Sequence, residues 1–420
     1  MALACAGCVA ANPAFGDSGT SGASGGATAT IATTRAETST ETQSSDGRGG
    51  TSSSTMSSAD TGVGSTAEHS TSITIGDTEP AGDWWDEGYG FRLRIKFNAR
   101  DAPLEGFVTP VTLEFGESTL VDVAPEQLQF VDVLTGEPLA VELVLFQAEK
   151  GTVVAWLRLP VWAAEEPTLV DAYFDSDVDL VPHVSPWHDY AAVWHMDVLA
   201  GNATPDAAQG NDAAMLVNPA ATPMNTGAGV VGLALEFDGA NHRLGATLDA
   251  PPDVPTFLVT AWSRPDAVPA EGTPILARGQ RWGDAASDTE WMMGFGPGVL
   301  RGRVHDVFPP VVTLQVSSPP LGDWIHHAFL VSETSVRLYR NGQPSAMTGL
   351  DGGFEHVLEQ VSIGGYASDA SGWEGRVFGG HIDEVWWRVG DDVDDLWVST
   401  LYQSQLQPET TYDYGGVEAL

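Results

Sequence analysis

From Tyr89 the chain reads YGFRLRIKF, with Phe91, Leu93, Ile95 and Phe97 at alternate positions and Arg92, Arg94 and Lys96 between them. A period of two marks a strand with one face in a core and the other in water, and it does not fit a helix. Further runs follow at Val108–Phe115, Leu128–Val133, Ala140–Phe146, Thr152–Pro160 and Thr168–Asp175, parted by turns such as Thr135-Gly136-Glu137 and Lys150-Gly151. Six short strands in about ninety residues, with no helical period, predict a small antiparallel sandwich over residues 84–180.

After a linker, residues 181–190, strand-like runs resume: VVGLALEFDG, TFLVTAWSR, EWMMGFG, VLRGRVHD, WIHHAFLVS, SVRLYRNG, QVSIGGYA and HIDEVWWRV. Gly, Pro and Asn stand at the joints, and the spacing predicts a larger jelly-roll sandwich over residues 191–416. One helix is expected, from Asp391 to Gln405, with its acids at the end the helix dipole favours. The fold class is all-β.

Residues 11–83 are of a different kind. Stretches such as SGTSGASGGATATIATT carry side chains too small to offset the entropy of ordering their backbone, which predicts a disordered tether. The chain has 57 acidic and 18 basic side chains, a formal net charge of −39, and only two lysines, Lys96 and Lys150. Such a charge repels nucleic acid and anionic membrane surfaces, so neither is expected as a direct partner. No apolar run reaches the ~20 residues of a membrane helix. Both cysteines, Cys5 and Cys8, lie in the opening MALACAGCVA. A redox pair would need a strand-to-helix setting, and zinc would need further ligands nearby. Small residues before each cysteine resemble instead the end of a bacterial lipoprotein signal over residues 1–10, without its basic and apolar parts. That resemblance implies an exported protein, lipid-anchored at Cys5 or Cys8 on the outer membrane or cell surface. The remaining reading leaves the cysteines without function.

The region from Val193 to Asp413 resembles the laminin-G-like jelly roll of the concanavalin A-like lectin and glucanase superfamily. The resemblance is carried, in order, by AVWHMD, DAAQGNDA, GVVGLALEFDGANHRL, VTAWSRPD, ILARG, DWIHHAFLVSETSVRLYRNGQ, VSIGGY and GHIDEVWWRV. YGFRLRIKF, LEGFVTPVTLEF and LQFVDVLTGEPLAVEL resemble a small uncharacterised β domain found before such jelly rolls. Together these imply recognition or adhesion at a cell surface, with a glycan or an envelope protein as partner and no catalysis. The alternatives are a polysaccharide hydrolase or lyase and a structural envelope protein.

The resemblance also implies calcium beside a sheet edge, held by Asp238 and Asp383, with Asn211 and Asn241 as supplementary oxygens. Calcium takes six to eight oxygens, which turns supply as carboxylates and carbonyls. The other reading of Asp238, before Gly239, is a carboxylate capping its own turn. Alternation in HIDEVWWRV points Ile382, Glu384, Trp386 and Arg388 one way, and His381, Asp383, Val385, Trp387 and Val389 the other. Each face then carries an acid that needs a partner if buried. Glycosidase chemistry needs two carboxyls across a cleft, and the acid-rich strand of the superfamily's glucanases is absent. Asp175, Asp177 and Asp179 alternate like calcium ligands but lack an EF-hand's Gly and Glu. His326 and His327 are strand neighbours, so they cannot share one site. Among 14 tryptophans, Trp282 and Trp373 fall in loops and are candidates to stack on sugar rings; the strand tryptophans are expected in the core.

Overall fold

The computed structural model describes residues 84–176, 182–216, 224–248, 256–279, 289–305, 311–318, 320–351, 358–366 and 376–420. The tether, the cysteines, Trp282, Trp373, Asp177 and Asp179 lie outside those residues. Leu93, Ile95 and Phe97 are buried as the alternation requires. On the other side of the strand Tyr89–Phe97, Arg94 grips Asp171 through two bonds of 2.8 and 2.9 Å, and Arg92 reaches Glu418 at 2.7 Å. All six predicted runs form strands, which assemble into two antiparallel sheets. One holds Tyr89–Phe97, Thr168–Ser176 and Gln129–Asp132; the other holds Leu104–Glu114, Thr152–Trp162 and Ala140–Gln147 in the order first, second, third.

The first of these sheets has a fourth member that the sequence reading placed elsewhere. The strand Tyr412–Ala419 pairs with Tyr89–Phe97, Phe91 opposite Ala419 and Phe97 opposite Tyr412. The large body therefore does not run to residue 416; the end of the chain returns to close the small sandwich. The Tyr412 ring packs on Phe97 at 5.6 Å, and its hydroxyl accepts from the Thr112 amide at 2.6 Å and donates to the Thr112 carbonyl at 3.1 Å. The run YDYGGVEA mixes acids with a Gly pair, so no apolar alternation announces it.

Two eight-stranded antiparallel sheets make up the large body. In the first, Gly379–Val389 and Phe257–Pro265 are central, flanked by Leu233–Asp238 and by Ile325–Val331, Ser335–Arg340 and Gln343–Gly349; Tyr190–Trp194 also pairs with Gly379–Val389. The second centres on Thr289–Gly296, Thr273–Gly279 and Gln360–Ile363. Val259, Phe329 and Trp387 face the core between the sheets. On the opposite face of the first sheet, Leu258, Ala328, Leu330 and Trp386 share a second core with the small sandwich. A sheet covered on both faces needs apolar residues at successive positions, which explains TFLVTAW and AFLV.

The helix Asp395–Leu406 forms part of that cover. Asp394 caps it by accepting from the Trp397 amide at 2.8 Å. Trp397 packs on Phe107 of the small sandwich at 5.0 Å, and Tyr402 stacks on Trp262 of the large body at 5.5 Å. Residues 182–189 are likewise packed rather than a free linker. The Val141 amide donates to the Val184 carbonyl at 2.8 Å, and Trp187 is buried among aromatic rings. The described residues from 84 to 420 fall in one compact unit.

If the terminal strand closes the small sandwich, Tyr412→Ala should lower unfolding stability by about 3 kcal/mol, as loss of a buried aromatic ring does. Urea unfolding would measure it, and an unchanged midpoint would contradict the closing role.

Candidate functional site

Strand Gly379–Val389 holds two buried acids side by side, and the local backbone explains how. Asp383 lies opposite Trp262 while Trp386 lies opposite Thr260, so Glu384 and Val385 face the single residue Ala261. This is a β-bulge, with Glu384 at φ 47°. The extra residue resets the alternation. Ile382, Val385 and Trp387 enter the core between the sheets, and Trp386 faces the small sandwich. The alternation expected from the sequence holds up to Asp383 and is wrong in placing Glu384 with Ile382, because a bulge leaves no periodic signature.

The bulge delivers Glu384 to His195, just past the strand Tyr190–Trp194. His195 Nδ1 is 2.8 Å from Glu384 Oε2, and its Nε2 is 3.2 Å from Glu142 Oε2 on the strand Ala140–Gln147 of the small sandwich. Trp386 donates its indole N–H to Glu384 at 2.8 Å, and Trp187 donates to Glu142. Trp156 stacks on the imidazole at 5.7 Å with ring planes 16° apart. Carboxylates only accept, so an imidazole bonded to one at each nitrogen carries both protons.

Burial acts to lower the His195 pKa, but Glu384 and Glu142 outweigh it and hold the ring well above its usual range. Burial pushes Glu142 up, and the charge and bond of His195 reverse that to a net depression. Glu384 is raised by burial, which His195 and the Trp386 N–H only partly offset. Asp383 is driven well above the carboxylate range by burial and by Glu384. Its Oδ2 accepts from the Val230 and Val231 amides at 2.6 and 3.1 Å, and its Oδ1 has no partner. With both nitrogens engaged, His195 has no lone pair for general-base work. The arrangement is an ion cluster that joins two sandwiches, and the sequence reading missed Glu142 and His195 because they meet only in three dimensions.

The residues expected to bind calcium are dispersed. Asp238 Oδ1 accepts from the amides of Ala240, Asn241 and His242 at 2.9, 2.7 and 2.9 Å, and its Oδ2 accepts from the Asn241 side chain at 3.1 Å. Burial raises its pKa, but the four donors together outweigh it and leave it well below the usual range. Asp238 lies opposite Gly379. Asp383 is four residues further along that strand, about 13 Å away at the ~3.3 Å rise of a strand. Asn211 belongs to a separate turn, where its amide donates to Asp206 Oδ2 at 2.9 Å. Among the described residues no three His, Cys, Asp or Glu side chains converge on a metal position. The four named residues do not fit a shared calcium ion.

His326 and His327 are both buried, on opposite faces. His327 Nε2 meets Ser263 Oγ at 2.7 Å and packs on Phe295, while His326 lies between Trp262 and Tyr402 at 5.1 and 5.9 Å.

The family model described as the Concanavalin A-like lectin/glucanases superfamily matches residues 245–388, within the facing eight-stranded sheets. The large body is a concanavalin A-like jelly roll. No curated protein matches the chain. Similar solved structures include the binding domain of Paraclostridial Mosquitocidal Protein 1, at 14% identity and TM-score 0.39, covering 51% of this chain and 52% of that one. The receptor binding domain of botulinum neurotoxin D aligns at 13% identity and TM-score 0.39, covering 52% of this chain and 53% of that one. The chain thus spans about half the length of the structures it matches. The jelly roll here carries the small sandwich on one of its sheets.

Two predictions follow from the site chemistry. Asp238→Ala should cost about 1–2 kcal/mol, as loss of a turn-capping carboxylate does, equally in calcium, magnesium or chelator. A loss seen only with calcium would restore Asp238 as a metal ligand. Burial lowers the His326 pKa to about 3, whereas an unfolded histidine protonates near 6.5. The unfolded state therefore binds the extra proton, and stability falls from pH 6.5 towards 3 by up to about 1.4 kcal/mol per unit from this residue. His326→Phe should make that acid limb shallower in urea titrations by this residue's share, with His327 and low-pKa carboxylates such as Asp238 supplying the rest; an unchanged limb would contradict a buried neutral ring.

Proposed function

We propose that the protein is an exported, lipid-anchored recognition module that binds carbohydrate at a cell surface without turning it over. The observation that carries this reading is the concanavalin A-like family match, and the acids the sequence singles out are already committed to structure. Asp238 holds a turn, Asp383 holds the backbone at Val230 and Val231, and Glu384 and Glu142 hold His195. A glycosidase would need two of its carboxyls facing one another across an open cleft, whereas these are spent on backbone and imidazole. The Ser, Gly and Thr of residues 11–83 suit a spacer between an anchor at Cys5 or Cys8 and the folded body.

A second reading, an envelope protein as partner, is favoured by one feature. Gln343–Gly349 is the outer strand of its sheet, is largely exposed and carries no charge. A shallow cleft of about 370 Å³ lies beside it, lined by Arg337, Met347 and Asp395 among others. An uncharged edge can accept an added strand.

A panel of glycans and polysaccharides, read for both retention and product release, separates these readings. Retention without release is expected. Release that stops when a carboxylate is replaced would make the protein an enzyme, and silence across the panel would favour the protein partner.

A further inference from the structure

We propose that His195 is a pH-responsive clasp between the two sandwiches, charged and closed at neutral pH and released in alkaline surroundings. The clasp is independent of what the jelly roll binds.

The geometry carries the inference. His195 belongs to the jelly roll, Glu384 lies on its other side in the same body, and Glu142 belongs to the small sandwich. The imidazolium is thus bonded to a carboxylate from each body at once. The other charged groups along the seam are Asp383 beside Glu384, Asp197 two residues beyond His195, and the ion pairs Arg158–Asp189 and Arg388–Asp392. Arginine keeps its charge throughout the accessible range, and the carboxylates are ionised above neutrality or held neutral by burial. Tyr190, in the same aromatic wall, is pushed far up by burial. Lys96 and Lys150 lie elsewhere, on the outward face of the four-stranded sheet and in the turn after Gln147. Between neutral and strongly alkaline pH, His195 is therefore the cation of the seam that can lose its charge, and the imidazole signal reads that loss apart from any ionisation of Asp383.

Losing that proton leaves a neutral ring with a single N–H between two carboxylates. One of them must give up its bond, and the burden falls unequally. Glu384 is enclosed, with 1% of its side chain exposed, whereas Glu142 is 32% exposed and can turn to water. Its strand, Ala140–Gln147, is the outer member of a three-stranded sheet; beyond it lies no further strand of that sheet, and the Val141–Val184 backbone bond ties it to the segment that carries Trp187. Trp187 is tied to Glu142 by its N–H and would follow. Release therefore begins at the small body's edge and admits water to the wall of Trp156, Trp187 and Trp386.

The test uses the full chain with ¹⁵N-labelled histidine, followed by NMR from pH 6 to 11, alongside acrylamide quenching of tryptophan fluorescence. The expected result is one imidazole that stays protonated well past its usual range of about 6.5. Its signal should be absent in His195→Gln, and quenching should increase with the same midpoint. Glu142→Gln removes one facing charge and should lower that midpoint by ~1–3 pH units. This second variant decides the matter even where His195→Gln does not fold. A His195 that titrates near 6.5, a midpoint indifferent to Glu142→Gln, or quenching that stays flat through the titration would each overturn the clasp.

Discussion

A β-sheet with apolar residues on both faces must find two covers, and the first sheet of the jelly roll governs the architecture for that reason. Its inner face meets the second sheet. Its outer face, with Leu258, Leu330 and Trp386, would otherwise stand in water. The helix and the small sandwich supply the missing cover, with Trp156, Trp187 and Trp397 buried in it. Aromatic rings of this size hide roughly 150–250 Å² each, on the order of 4–6 kcal/mol apiece as an upper estimate. The small sandwich therefore acts as the lid of a larger body, and its own core and the seam are one continuous cluster.

Much of this is legible in the amino-acid order, because strand periodicity is a local property. The six strands of the small sandwich fall within a few residues of their predicted bounds, and the helix begins at Asp395 where Asp391 was expected. What escapes is non-local. Tyr412–Ala419 has no apolar alternation and becomes a strand only because Tyr89–Phe97 offers it an edge. The bulge at Glu384 has no sequence signal at all, so period-two reasoning carried one residue too far. Asp238 was legible in both of its readings, and the geometry favours the turn, since three backbone amides already surround Oδ1. Glu142 and His195 are 53 residues apart; each lies in a run that speaks for the fold, and nothing in either run pairs the two.

The distribution of acids separates two uses of the same functional group. A net charge of −39 suggests a chain with carboxylates to spare, yet those inside the fold are few and each has a structural task. Asp206 gathers the amides of Val193, Ala208 and Asn211, as Asp238 does for its own turn. Asp383 fastens the loop before Leu233–Asp238 to the central strand. The buried Asp206 and Asp383 and the more exposed Asp238 take the place of water as acceptors of backbone N–H groups in turns, where an unmet buried donor would be costly. The body is thereby pinned at its loops, the part of a jelly roll from which binding surfaces are usually built.

Pairing of Phe91 with Ala419 brings the first and last strands of the folded body side by side. The polypeptide therefore enters and leaves at one pole. A body of this topology can be carried as a pendant, or spliced into a surface turn of another protein, without opening any of its sheets.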